Sequence, residues 1–151
     1  MKKLIYLFLA LLIVACSSDD NNNVDANGNT GNDNLVIGDS YQGGIIFWLD
    51  GNGGGLIAAN YDVGLNWDDA MSYCADYTVG QYDDWYLPSK DELNLIYQQQ
   101  TAIGGFTDYY YWSSTEIDGD DEGAWNQDFG NGFQGLSFKT FPSYVRAVRA
   151  F

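Results

Sequence analysis

Four carboxylates fall within five residues, at Asp118, Asp120, Asp121 and Glu122. Oxygen donors at alternate positions along Asp118-Gly119-Asp120-Asp121-Glu122-Gly123 are what a hard cation such as Ca2+ takes. The bidentate Glu that closes a calcium loop is missing, because Phe129 stands at that position. Two readings follow: a Ca2+ site on these four residues, or an acidic turn in solvent, and the second suits a chain rich in acids. No cofactor is required by either. Asp83-Asp84 and Asp120-Asp121-Glu122 also resemble the acid and base of a glycosidase, but clustered surface acids arise by chance in such a composition.

Aromatic side chains offer a second chemistry. Tyr109-Tyr110-Tyr111 form a run, and Trp85-Tyr86 follow Asp84. Strand alternation sets Tyr110 on one face and Tyr109 and Tyr111 on the other. An exposed Tyr beside Asn and Asp can stack on a sugar ring, so Trp85, Tyr86, Tyr109 and Tyr111 are the candidate ligand-binding residues. The competing reading is ordinary aromatic sheet packing. Trp48, Trp67, Trp112 and Trp125 sit inside strand or helix patterns and are expected in the core.

Other chemistry is excluded by what is absent. The 151 residues include no His, which removes His-dependent triads, zincin sites and facial-triad iron sites. No nucleophile pattern stands out, and no catalytic residue is assigned. Six Lys and Arg against 21 Asp and Glu leave a net charge of −15, which argues against binding nucleic acid through its phosphates. With 5 Trp, 12 Tyr and 8 Phe the chain has the material for a packed core.

The N-terminus reads as an export signal. Lys2 and Lys3 precede an unbroken apolar run, Leu4 to Val14, too short for a comfortable membrane span. Ile13-Val14-Ala15-Cys16 resembles the lipobox at which bacterial lipoproteins are cleaved and lipidated. Residues 1–15 are thus expected to be a lipoprotein signal peptide and Cys16 the acylated N-terminus, held to a lipid membrane by its acyl chains. Removing Lys2 and Lys3 leaves 4 basic against 21 acidic residues, a net −17. Ser17-Ser18-Asp19-Asp20 resembles a surface-export signal, so a surface-exposed outer-membrane lipoprotein of the bacterial cell envelope is expected. Residues 16–34, dominated by Asn, Asp and Gly, read as a flexible tether. A single domain then covers 35–151. If Cys16 is acylated, Cys74 has no partner for a disulfide and reads as a small buried apolar residue.

The elements that must position these groups are legible in outline. Gly43 to Leu49 and Leu56 to Ala59 predict a buried hairpin across the Gly-rich turn 50–55. Asn66 predicts an N-cap, and Trp67, Ala70, Met71, Cys74 and Ala75 fall on one helical face. Ser89 and Glu92 have capping-box spacing ahead of a second helix with Leu93, Ile96 and Tyr97, ended by Gly104-Gly105. Strands follow from Thr107, with a tight turn at Gly130-Asn131-Gly132 and a terminal strand over Tyr144 to Phe151. The order is α+β.

Several segments together resemble a known bacterial family. They are Tyr41-Gln42-Gly43-Gly44-Ile45-Ile46-Phe47, Trp67-Asp68-Asp69-Ala70 with Cys74, and Asp84-Trp85-Tyr86-Leu87-Pro88-Ser89-Lys90-Asp91-Glu92-Leu93. Tyr111-Trp112-Ser113-Ser114-Thr115, Ala124-Trp125 and Val145-Arg146-Ala147-Val148-Arg149 complete the set. In this order they resemble the C-terminal domain of a collagen-like bacterial adhesin, the Lcl C-terminal family. That family is similar to formylglycine-generating enzymes and C-type-lectin-like domains. The resemblance implies a mixed, mainly antiparallel sheet with two helices and long aromatic loops. Three departures matter. Tyr86 stands where the family usually has Arg, which removes any charge pair that Arg makes. The collagen-like repeats are replaced by the short tether. The cysteine pair of the formylglycine-generating enzymes is lacking, so their chemistry is not implied.

A membrane-anchored binding or adhesion domain for a glycan or protein partner is the function these features imply. The family is associated with anionic glycosaminoglycans, which a domain at −17 would repel, so a neutral glycan or a basic protein is expected. A structural subunit of a larger surface complex is the alternative, and a carboxylate-based hydrolase the more remote one.

Overall fold

The computed structural model describes residues 35–151. The expected signal peptide, Cys16 and the tether lie outside the described residues.

The first strands form where the apolar run meets its Gly-rich turn. β1 (Ser40–Tyr41), β2 (Gly44–Leu49) and β3 (Gly55–Ala58) build a meander. Gly44 allows β2 and β3 to approach closely: a Cβ there would stand 2.4 Å from the Ala58 carbonyl oxygen. β9 (Val148–Ala150) adds to β3, giving an antiparallel sheet in the order β1-β2-β3-β9. The second sheet runs β4-β8-β5-β6-β7. It comprises β4 (Val63–Leu65), β5 (Tyr110–Ile117), β6 (Asp120–Asp128), β7 (Gln134–Phe138) and β8 (Ser143–Val145). Its pairs are antiparallel except β5 with β8, which meet in parallel at Tyr111 and Tyr144. The expected α+β class and mixed, mainly antiparallel pairing are therefore present, in two sheets.

α1 (Trp67–Asp76) starts where Asn66 accepts a hydrogen bond from the Asp69 amide at 2.9 Å, and Asp68 and Asp69 complement the positive end of the helix. Its buried face is Trp67, Ala70 and Cys74; Met71 and Ala75 are exposed, so the face is narrower than the spacing suggested. α2 (Lys90–Gln98) carries the full capping box. Glu92 N–H donates to Ser89 Oγ and Ser89 N–H donates to Glu92 Oε2. A third helix, α3 (Gln100–Ile103), was not expected; it is a single turn that Gly104 ends.

Two cores result. Trp67, Ala70 and Cys74 of α1 pack with Ile46, Ile57, Trp112 and Val145. Leu93 and Ile96 of α2 pack with Phe47, Tyr111, Phe129 and Val148. Trp112 is fully buried and donates its indole N–H to the Leu65 carbonyl at 3.1 Å. Trp48 departs from the expectation: it is 39% exposed, because a bulge between Ile46 and Trp48 turns it out of the hairpin's buried face.

Cys74 is free and buried, and burial pushes its thiol up to about 12. A thiol held protonated this way is neither a nucleophile nor a redox group. Residues 35–151 are accordingly expected to melt at the same temperature with and without reductant, and native protein should leave Cys74 unlabelled by an alkylating reagent at neutral pH. A large drop in melting temperature under reductant would contradict this.

The terminal strand is also corrected. It divides at Arg146-Ala147 into β8 and β9, which belong to different sheets. The chain crosses there because the Arg146 side chain is fully buried at the crossover. Arg146 Nε donates to Asp62 Oδ1, Nη1 to the Ala59 carbonyl at 2.9 Å and Nη2 to the Gly105 carbonyl at 3.2 Å. Its guanidinium carbon lies 3.9 Å from the Phe106 ring centroid. Tyr111 donates to the other Asp62 oxygen at 2.6 Å and accepts from the Thr107 amide. One buried network thus fixes the loop before β4, the end of α3, β5 and the link between the sheets.

Candidate functional site

An open groove of about 910 Å³ lies along the five-stranded sheet. Its walls come from all five strands: Gly64 of β4, Tyr109 just before β5 and Tyr110 at its start, Trp125 and Asn126 of β6, Gly135 and Leu136 of β7, and Tyr144 of β8. Phe133, which follows the turn between β6 and β7, closes one side. The volume is of the size that takes a small ligand or a few linked rings.

Apolar rings stand open in this groove. Tyr109, Tyr110 and Phe133 are 63%, 44% and 64% exposed, and Leu136 is exposed beside them. Tyr109 rests against Tyr144 with ring centroids 5.9 Å apart, which limits its swing. Trp125 is less available, because Lys90 Nζ sits 3.2 Å from its ring centroid. Polar residues are interspersed: Gln134, Ser137, Ser143 and Asn126 line the groove, and the Oδ1 of Asn126 is buried from solvent without a hydrogen-bond partner. Among the described residues no charged one lines it, in a chain whose net charge is −15.

The predicted ligand-binding residues divide. Tyr109 lines the groove as an exposed ring. Tyr111 is fully buried, with its hydroxyl on Asp62, so it presents no face to a ligand. Burial first, then the hydrogen bond to Asp62, pushes its hydroxyl up to about 12. Tyr109 and Tyr111 do not share a face because β5 begins at Tyr110: Tyr109 lies before the strand, and Tyr109 and Tyr110 are both exposed. Trp85 is 3% exposed, in the core shared with α1, and it donates its indole N–H to the Tyr82 carbonyl at 3.3 Å. Tyr86 is half-buried, bridges to Val148, and donates its hydroxyl to Glu92 Oε1 at 2.8 Å. Trp85, Tyr86 and Tyr111 are therefore structural, and none lines the groove.

Tyr86 answers a question the sequence raised. Where the family places Arg, the tyrosine hydroxyl holds Glu92, and burial and that hydrogen bond raise its pKa. Tyr86→Phe is expected to cost about 1.5–3 kcal/mol, the range for a hydrogen bond to a charged group. Tyr86→Arg should keep the domain folded. Urea denaturation measures both, and an unchanged midpoint for Tyr86→Phe would contradict the role.

The acidic segment is an exposed hairpin. Asp118 and Gly119 form the turn between β5 and β6, and Asp120 Oδ1 accepts from the Glu122 amide at 2.9 Å. Strand alternation sends Asp120 and Glu122 to one side and Asp121 to the other, with Asp118 in the turn. Among the described residues no group of three or more acidic or Cys side chains is placed to hold a metal ion. That placement favours the solvated-turn reading of Asp118, Asp120, Asp121 and Glu122 over the Ca2+ one. The Asp83-Asp84 pair fares no better as an acid and base, because Asp84 is committed to Arg149, with Nη2 donating to Oδ2 at 2.9 Å. That hydrogen bond holds the Asp84 carboxyl below the usual carboxylate range.

Tyr110, Asn126, Phe133 and Leu136 went unassigned in the sequence. Phe133 had a usable signal: a large aromatic directly after Gly130-Asn131-Gly132 sits at a turn, where burial is hard to complete. Asn126 had none, since Gln127 beside it is equally polar yet is fully buried and bonded to Asn94 at 3.0 Å and the Gly132 carbonyl at 3.1 Å.

An α+β domain with an uncharged aromatic groove on its larger sheet is thus the class defined by fold and site. The Lcl C-terminal domain family matches residues 44–149, and the chain belongs to that family. The crystal structure of botrocetin is similar with a TM-score of 0.48 and 13% identity, covering 73% of this chain and 97% of that one. No curated protein matches the sequence.

Proposed function

We propose that the protein is a lipid-anchored, surface-exposed binding protein of the bacterial envelope whose groove takes a neutral glycan. The observation that carries the glycan reading is the exposed set Tyr109, Tyr110 and Phe133 in a groove without charged residues. A pyranose ring has an apolar face that stacks on an aromatic ring and a rim of hydroxyls that pairs with amides and hydroxyls. Anionic glycans meet a net charge of −15 and no cation in the lining, so they are disfavoured. The same field disfavours nucleic acid. Binding without chemical conversion is favoured by the lack of His, the buried thiol of Cys74 and the pairing of Asp84.

Anchorage follows from the lipobox at Ile13-Val14-Ala15-Cys16. Mass spectrometry of the mature protein should find an acylated N-terminal Cys16; a different N-terminus overturns that part. A glycan array probed with the purified protein tests the rest, with neutral oligosaccharides expected to score above sulfated and uronate-bearing ones. A second reading, a subunit of a surface protein complex, is favoured by Phe138 and Phe141, which are 55% and 57% exposed and pack edge to face at the end of the groove's outer strand. An array with no neutral hits, together with a stoichiometric partner in an outer-membrane pull-down, would select it.

A further inference from the structure

We propose that the free edge of β7 is a docking strand, which takes an extended segment of another protein with alternate apolar side chains and basic residues at its ends. The proposal is independent of the glycan reading, because it rests on main-chain groups at the rim of the sheet and not on the rings of the groove.

The hydrogen-bond ladder fixes which groups are free. β7 pairs with β6: the Lys139 amide donates to the Glu122 carbonyl at 2.8 Å, and the Asp128 amide donates to the Phe133 carbonyl at 2.9 Å. Bonding residues alternate along an antiparallel strand, so Phe133, Gly135, Ser137 and Lys139 face β6. Gln134, Leu136 and Phe138 turn their main-chain groups the other way. The Phe138 carbonyl is taken by the Phe141 amide at 3.0 Å, whereas the N–H and C=O groups of Gln134 and Leu136 meet no described residue on that side.

The other three sheet edges are blunted. β1 and β4 have only two and three residues. β9 is covered by Tyr86, which exchanges backbone hydrogen bonds with Val148 at 2.8 and 2.9 Å. β7 has none of the usual protection: Gln134-Gly135-Leu136-Ser137-Phe138 contains no charge and no proline, and its register runs without a bulge. Lys139 follows directly but is turned away, its ammonium paired with Glu116 and 4.4 Å from the Trp67 ring centroid. Leu136 and Phe138 are exposed and lie on one side of the strand. Free donors and acceptors beside alternate apolar side chains are what strand addition uses, the main chain giving affinity and the side chains specificity.

Charge selects the partner. The basic residues among the described ones are all engaged: Lys90 on Trp125, Lys139 on Glu116, Arg146 on Asp62 and Arg149 on Asp84. Acids therefore set the surface potential of a chain at −15. Two of them, Glu122 and Asp128, stand across from the two ends of β7. A second copy would bring two such edges together against their mutual repulsion, whereas a basic segment is drawn to this one.

The test titrates the purified full chain, by fluorescence anisotropy, with labelled octapeptides of alternating valine and threonine. One is flanked by lysines, one by glutamates, and a third has lysine flanks with every central residue N-methylated. N-methylation keeps the side chains and charges and removes the main-chain donors. The lysine-flanked peptide should bind, and the other two should each bind at least roughly tenfold more weakly. Leu136→Pro removes one outward N–H at a place where an edge strand tolerates proline. It should weaken binding at least roughly tenfold, and more than Leu136→Ala, which keeps that N–H. No binding of the lysine-flanked peptide, equal binding of its N-methylated form, or equal losses in Leu136→Pro and Leu136→Ala would overturn strand addition. Equal binding of the glutamate-flanked peptide, or a dimer in light scattering that Leu136→Pro dissolves, would overturn the basic partner. Should Leu136→Pro fail to fold, the N-methylated peptide decides. The glycan array stands apart from all of these results.

Discussion

Arg146→Ala should destabilise the domain by about 3–5 kcal/mol, the cost of breaking a buried ion pair from one side. The side chain is 1% exposed, and its loss leaves the Asp62 carboxylate buried against the Tyr111 hydroxyl alone. It also leaves the Ala59 and Gly105 carbonyls without their donors. Native domains have only about 5–15 kcal/mol in hand, so the variant should melt far below the wild type or fail to accumulate. Arg146→Lys should recover little, because an ammonium group cannot present the fork of donors that reaches Asp62 and two backbone carbonyls at once. Asp62→Leu combined with Arg146→Met should be less destabilised than Arg146→Ala, since no lone charge remains. Thermal and urea denaturation measure all three. A loss below about 1 kcal/mol for Arg146→Ala would show that the network is not what joins the sheets.

The same network sets an alkaline limit. Tyr111 is held at about 12 against an ordinary value of 10.0. Its folded value is raised, so its contribution is complete below the unfolded value and is lost as pH rises from there through about 12. Asp84 has the opposite sign. Its folded value is depressed by Arg149, so that contribution is present at neutral pH and is lost as pH falls through the depressed value.

Tyr110→Ala with Phe133→Ala should weaken glycan binding by roughly tenfold to a hundredfold while leaving the melting temperature nearly unchanged. A sugar covers one face of each ring, so the two rings together contribute about what one fully buried large apolar side chain does, about 1.5–3 kcal/mol, and each 1.4 kcal/mol is about tenfold in affinity. Both rings are exposed in the absence of ligand, so the fold loses little when they are cut back. Phe138→Ala with Phe141→Ala, beyond the groove, serves as the control and should bind like the wild type. If the two pairs behave alike, the groove is not the site.

The local elements were legible because their signals are short-range. Asn66 and Ser89 cap the helices they were expected to cap, and the capping box at Ser89 and Glu92 closes as spaced. The Gly-rich turn joins the hairpin it was expected to join. What failed depends on partners distant in sequence. Arg146 and Asp62 are 84 residues apart, and nothing near Arg146 announces that a carboxylate and two carbonyls will meet it. The break between β8 and β9 follows from that meeting, so an apolar stretch read as one strand serves two sheets. The candidate site was half legible. Tyr109 was named and lines the groove, whereas Tyr111 was misjudged by the one-residue difference in where β5 starts. Asn126 was invisible, because whether a carboxamide in a strand is satisfied depends on which turn or helix faces it. The resemblance to the Lcl C-terminal family supplied the fold, and the Tyr86 departure within it found its explanation in Glu92.

A two-dimensional ¹⁵N NMR titration of the domain with neutral hexasaccharides decides whether the groove on the five-stranded sheet is the binding site. Amide shifts are expected to cluster at the groove residues Tyr109, Tyr110, Phe133, Gly135 and Leu136. Shifts confined to the acidic hairpin at Asp118 to Glu122, or no shifts with any neutral sugar at millimolar concentration, would contradict it.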